Sequence, residues 1–194
     1  MPKSQNVGKR FESAIKDAIP DYVLLLRLND SPWSFRQSNL TRFTLQQPCD
    51  YVAFDTNSKM LYFIELKSTK NRSINFDDIN SDEEQGKMIK KHQILGLQKF
   101  SEYQNVNAGF IFNFRHFEDN KEKYFETAYF QSISDFMCMI NNINKKSFDE
   151  INLIQYNAVK IFGEKKRVRF HWNMNEFFVN MSKENDKNMN EYIK

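Results

Sequence analysis

Cysteine is nearly missing from this sequence: Cys49 and Cys138 are its only two in 194 residues. Two thiols make neither a disulfide framework nor a cysteine-based zinc site, so a reducing, cytoplasmic setting is expected. Glycine and proline are scarce as well, at 5 and 4 residues, which argues against a disordered or low-complexity chain. Long apolar runs are absent. The longest, such as residues 22–26 and 108–112, fall far short of a bilayer span, and no membrane association is expected. No apolar stretch follows the early charges Lys3, Lys9 and Arg10, so no secretory leader is expected either. A strong charge of one sign is also lacking. The net charge of +3 permits a nucleic-acid partner without demanding one.

What the chain does have is 40% hydrophobic residues and 19 phenylalanines, enough for one packed domain. Val7, Phe11, Ala14, Ile15, Ala18 and Ile19 recur at helical spacing, which predicts a helix over 6–19 closed by Pro20. Residues 22–28 read as a buried strand. Residues 29–47 have no clean period. Their aromatics (Trp33, Phe35, Phe43) are interleaved with Arg36 and Arg42, a mixture that contacts bases and phosphates or else pins a long loop to the core.

Further on, residues 68–80 read as a polar loop carrying Lys70 and Arg72. A helix is expected from a capping sequence at Ser81–Glu84 to about residue 103, its inner face traced by Met88, Ile89, His92, Leu95, Gly96 and Phe100. Lys87, Lys90 and Lys91 lie alongside, as a solvated face or as a phosphate-binding surface. Strands are expected at 106–114 and 121–130, and helices at 133–143 and after the capping sequence 147–150. A hairpin around Gly163-Glu164-Lys165 spans 158–172, with the basic cluster Lys165, Lys166, Arg167 and Arg169 at its turn and outgoing strand. A short helix over 173–181 and a frayed polar tail over 182–194 complete the chain. The fold class this implies is α/β, one domain with a mixed central sheet flanked by helices.

The most informative stretch is 47–70, which reads as a β-hairpin. Two apolar runs, 51–54 and 60–66, flank Asp55-Thr56-Asn57-Ser58-Lys59, which is turn chemistry. A turn centred between Asn57 and Ser58 pairs Phe54 with Leu61, Val52 with Phe63, and Asp50 with Glu65. Side chains alternate along a strand, so Glu65 and Lys67 share the face that Asp50 joins from its partner. Adjacent carboxylates repel, and a hard divalent cation between them removes both the repulsion and the cost of desolvation. An ordinary edge hairpin with a surface Asp and a Glu/Lys pair fits the same residues. Glu12, beside the apolar stripe of the first helix, either reaches the hairpin's charged end or serves as a favourable carboxylate near a helix N-terminus.

Converging carboxylates and one lysine suggest metal-assisted phosphodiester hydrolysis. Asp50, Glu65 and the Leu66 carbonyl would bind Mg²⁺, Lys67 would orient or help deprotonate the attacking water, and Glu12 would bind a metal-bound water or a second ion.

Pro48-Cys49-Asp50 followed by Phe63-Ile64-Glu65-Leu66-Lys67 resembles the PD-(D/E)xK nuclease motif. Within that superfamily the chain resembles the RecU family of Holliday-junction resolvases. Gly8-Lys9-Arg10-Phe11-Glu12 is similar to its first-helix motif, His92-Gln93-Ile94 to its HQI helix motif, and residues 108–114 to the strand that follows. The resemblance covers roughly residues 6–114. It implies a restriction-endonuclease-like fold and a cytoplasmic homodimer that cuts four-way DNA junctions with Mg²⁺ or Mn²⁺. It also implies a nuclease domain over 1–181 with a DNA-binding stalk within 30–47. DNA contacts are expected from Lys9, Arg10, Arg36, Arg42, Lys70, Arg72, Lys87, Lys91 and Gln93. A nuclease acting on duplex DNA or DNA ends, and a catalytically silent DNA-binding protein on the same fold, are the alternatives.

Overall fold

The strands follow from apolar and β-branched runs broken by turn residues. In the computed structural model they are β1 (Val23–Arg27), β2 (Tyr51–Asp55), β3 (Met60–Thr69), β4 (Ser73–Asn75), β5 (Val106–Phe114), β6 (Phe117–Glu118), β7 (Lys123–Tyr124), β8 (Thr127–Ser132), β9 (Ser147–Asp149), β10 (Val159–Ile161), β11 (Gly163–Lys165) and β12 (Phe170–Trp172). The helices are α1 (Val7–Lys16), α2 (Lys91–Ser101), α3 (Ile133–Asn142), α4 (Glu150–Gln155) and α5 (Met174–Tyr192). The structure describes residues 7–28, 47, 49–81, 85–118, 122–167 and 170–192. Among them no helix is long and apolar enough to cross a membrane.

Six strands form the central sheet in the order β1-β2-β3-β5-β8-β10. Only β3 and β5 run parallel, and every other neighbouring pair is antiparallel. This is the expected mixed sheet with helices on its faces. Against one face, Phe11 and Ile15 of α1 and Phe177 and Phe178 of α5 pack on Tyr62, Ile64, Leu66, Ile111 and Phe130. Against the other, Ile94 and Leu97 of α2 and Phe136 and Met139 of α3 pack on Phe110, Phe112 and Phe114. The paired centre β3–β5 is covered on both sides, which is why its sequence is apolar almost throughout. Each fully buried Phe contributes about 1.5–3 kcal/mol, so these two strands are the firmest part of the sheet.

The hairpin has the expected register: Val52 pairs with Phe63 and Phe54 with Leu61. Its turn is closed by a buried aspartate. Asp55 Oδ1 accepts from the Asn57 amide at 2.9 Å, and its Oδ2 accepts from the Ser58 hydroxyl at 2.6 Å. Lys59 takes the left-handed conformation, with φ of 60°, that lets the chain re-enter β3.

Several elements differ from expectation. β1 is an edge strand, not a buried one: Leu24 is 68% and Leu26 59% exposed. A run of leucines has the same sequence signature whether one face or both are covered. α2 starts at Lys91, not Ser81, because residues 87–89 are tied to the β4 region. The Ile89 amide donates to Asn75 O at 3.1 Å, and Ile89 O accepts from the Asp77 amide at 2.9 Å. Met88 and Ile89 therefore precede the helix, and Ile94 and Leu97 are its buried residues. The expected strand 121–130 divides into β7, which pairs with β6, and β8 of the central sheet. Gly163 begins β11 instead of forming a turn, and β10 pairs separately with β8. α4 is capped by Asp149, whose side chain accepts from the Asn152 amide. α5 continues past Met181 to Tyr192, where a polar tail is expected.

Candidate active site

The β2–β3 register ends with Tyr51 opposite Ile64, and one further step sets Asp50 opposite Glu65. Asp50 Oδ2 accepts a hydrogen bond from the Leu66 amide at 2.8 Å, which pins the aspartate to the end of β3. Glu65 is only 4% exposed. A carboxylate buried to that degree needs compensating donors. Lys67 Nζ supplies one at 2.7 Å and Gln93 Nε2 another at 2.5 Å, both to Glu65 Oε1.

Gln93 is held at both ends of its amide, since its Oε1 accepts from the Lys90 amide at 3.0 Å. α2 is in turn positioned by two contacts that the sequence did not single out. The fully buried carboxylate of Asp77 accepts from the backbone amides of Lys87 at 3.3 Å and Lys91 at 3.2 Å. Phe63 and Phe100 stack with ring centroids 4.0 Å apart and fix the helix over β3. Asp77 lies in a polar stretch where nothing local marks it as a cap, and only the tertiary fold brings it to the start of α2.

Asp50, Glu65, Lys67 and Gln93 are thus brought together. Asp50 and Glu65 offer an all-oxygen donor set of the kind a hard divalent cation takes, and the residues present fit such an ion. Among the described residues no group of three His, Cys, Asp or Glu side chains gathers around one point. Glu12 in particular is paired elsewhere, with its Oε2 3.1 Å from Arg27 Nη2 on the edge strand. Leu66 gives its amide to Asp50 while its side chain is buried in the core.

The expected DNA-contacting residues divide. Lys9, Arg10 and Lys70 line a cleft on the opposite face of the sheet. Arg72 turns inward: it is 3.4 Å from Glu150, donates to Arg115 O at 3.1 Å and lies over the Tyr124 ring at 4.0 Å. Lys87 and Lys91 serve the α2 junction, and Lys91 Nζ donates to Ser81 O at 2.8 Å. Arg36 and Arg42 lie outside the described residues.

A prophage protein is similar to this chain along nearly its whole length. The SPbeta prophage-derived uncharacterized protein YotM of Bacillus subtilis (strain 168) is 28% identical over 205 residues, covering 97% of this chain and 95% of that protein. No family model matches the sequence. Among solved structures, Archaeoglobus fulgidus Hjc, a Holliday junction resolvase from an archaeal hyperthermophile, aligns over 78% of this chain and 93% of its own with a TM-score of 0.42 and 13% identity.

The buried Cys49 thiol reports on the same sheet end. Burial, then the negative charge of Glu65 and more weakly that of Asp50, push its pKa up to about 12. The thiolate is the reactive form, so Cys49 is expected to resist alkylation in the folded protein at pH 8, whereas the exposed Cys138 reacts. Mass spectrometry after brief iodoacetamide treatment is expected to show one adduct natively and two in denaturant. Equal native labelling of both cysteines would contradict this placement.

Proposed function

We propose that this chain is a divalent-metal-dependent DNA endonuclease of the junction-resolvase type. The observation that carries the reading is the sharing of Glu65 Oε1 by Lys67 and Gln93, at the strand end where Asp50 is held opposite. These are the residues of the Asp…Glu-x-Lys motif and of the helix that follows it, joined in space as that chemistry needs. Asp50 and Glu65, with the Leu66 carbonyl, would hold Mg²⁺ or Mn²⁺. Bound there, the cation supplies Lewis-acid stabilisation of phosphoryl charge and a water of lowered pKa.

The protein's own groups do the rest. Lys67, paired with Glu65 as a cation, offsets phosphate charge and orients the attacking water. Gln93 keeps Glu65 in one rotamer through its second bond to the start of α2. Two symmetric cuts in a four-way junction need two such sites, so the reading includes a homodimer.

The decisive assay compares a four-way junction with linear duplex, each with and without Mg²⁺. Metal-dependent cutting of the junction in preference to duplex is expected. Equal cutting of both substrates would replace junction resolution by a duplex- or end-directed nuclease. No metal-dependent cutting of either would leave a DNA-binding protein on a nuclease-like fold. Lys67→Ala is expected to lower turnover by roughly a hundredfold, as loss of one preorganised charge-stabilising donor does, with metal affinity largely kept. Turnover at the parent rate in that variant would remove Lys67 from the reaction.

A further inference from the structure

On the face of the sheet opposite Glu65, the same strand ends border a cavity of about 510 Å³ between α1 and the β11–β12 ribbon. That volume lies within the range of small-ligand sites, roughly 300–1,000 Å³. Its cationic wall comes from four separate parts of the chain: Lys9 and Arg10 on α1, Lys70 after β3, Arg115 after β5, and Lys165 on β11. Five cations converging from distant segments repel one another unless an anion joins them.

Aromatic side chains from the same elements complete the lining. Phe170, half-buried, leans on Trp172 with ring centroids 4.3 Å apart, and Trp172 meets Phe11 edge-on at 5.8 Å. The floor is polar and fixed. Asn113 is fully buried, accepts from the Ser68 hydroxyl at 2.7 Å, and donates to Glu126 at 3.2 Å and to Thr127 O at 3.2 Å. Glu126 also lines the cavity and is thus engaged by Asn113.

Cations for phosphate and an aromatic face for a base, around a cavity of this size, together describe a nucleotide. We propose that this cleft takes one unpaired nucleotide of a DNA strand, with its phosphate among the cations and its base against Phe170. The inference rests on the endonuclease reading for its choice of DNA. Ser68 on the cleft side directly follows Lys67 on the active-site side, so a strand leaving the carboxylates rounds the end of β3 to reach the cleft. A branched substrate with a flap, or with base pairs opened at its branch point, offers unpaired nucleotides there, and a continuous duplex does not.

The test measures binding without cleavage, using the Glu65→Gln protein in EDTA. The probes are a duplex with a short single-stranded flap bearing 2-aminopurine, the fully paired duplex, and free dAMP. Tighter binding of the flapped DNA, with 2-aminopurine quenched on binding, is expected. Phe170→Ala is expected to weaken flap binding about tenfold while leaving duplex binding alone, as loss of one base–aromatic stack does. Phe170→Leu keeps most of the packing volume and is expected to show the same selective loss, which separates stacking from misfolding. Lys165→Ala is expected to reduce the salt slope for the flap by about one.

Equal affinity for flap and duplex, or parent-like flap binding in both Phe170 variants, would overturn the proposal. Binding of free dAMP as tight as that of the flap would overturn the DNA-strand assignment. Cleavage by the unsubstituted protein is scored separately. Loss of flap preference with cleavage intact removes the pocket alone, and absence of cleavage with flap preference intact removes the nuclease reading alone.

Discussion

Glu65→Gln is expected to abolish metal-dependent cleavage, by on the order of a thousandfold or more, while the protein still folds and binds DNA. The amide is isosteric, and its oxygen still accepts from Lys67 and Gln93, which now donate to Glu65 Oε1 at 2.7 and 2.5 Å. What disappears is the negative charge. A hard cation then has one anionic ligand fewer, and several kcal/mol of transition-state charge stabilisation are lost with it. The cationic cleft on the far side of the sheet is untouched, so junction affinity in EDTA is expected to match the parent. Asp50→Asn is expected to behave alike, because the new side chain can still accept from the Leu66 amide. Single-turnover cleavage with Mg²⁺ and with Mn²⁺, beside fluorescence anisotropy without metal, separates chemistry from binding. A Glu65→Gln protein that cuts at the parent rate would sink the assignment of this site.

What the sequence made legible here was local. The hairpin register followed from two apolar runs and five turn residues, and the turn holds because Asp55, one of those residues, accepts from the Asn57 amide and the Ser58 hydroxyl. The Glu65/Lys67 pair followed from strand alternation alone. Long-range partners were not legible. The sequence Ser81-Asp82-Glu83-Glu84 resembles a helix start, but Ile89 bridges to the β4 region and Asp77 caps the helix at Lys91. Arg72 has the composition of a DNA contact, yet Glu150 and Tyr124 draw it inward. Glu12 has the placement of a third acidic ligand, yet Arg27 takes it. Asn113 carried a usable signal, as an amide set between Phe112 and Phe114 near the end of a largely apolar central strand, and its burial shows it to be part of a built polar floor.

Gly109→Ala is expected to be the most damaging single-methyl change in the sheet. A Cβ at that position would lie 2.3 Å from Gln131 O and 3.0 Å from two ring carbons of Phe130. The first contact is with backbone, so no rotamer change relieves it. β5 cannot move away either, because it is paired on both sides: Gly109 faces Ile64 of β3 and Ser132 of β8. Gln131 is itself fully buried and tied to Tyr156 O at 2.6 Å. Overpacking at a site that cannot relax costs about 3 kcal/mol or more. For a chain of this size that corresponds to a fall in Tm of roughly 6–12 °C. Thermal unfolding followed by circular dichroism measures it, and a Tm within about 2 °C of the parent would show that β8 yields more readily than the register implies. The change also reaches the chemistry, since Phe110, the next residue of β5, pairs with Glu65. Cleavage measured well below the lowered Tm is therefore expected to fall as well, because the strand that carries the carboxylate takes its position from the strand that Gly109 allows to pack.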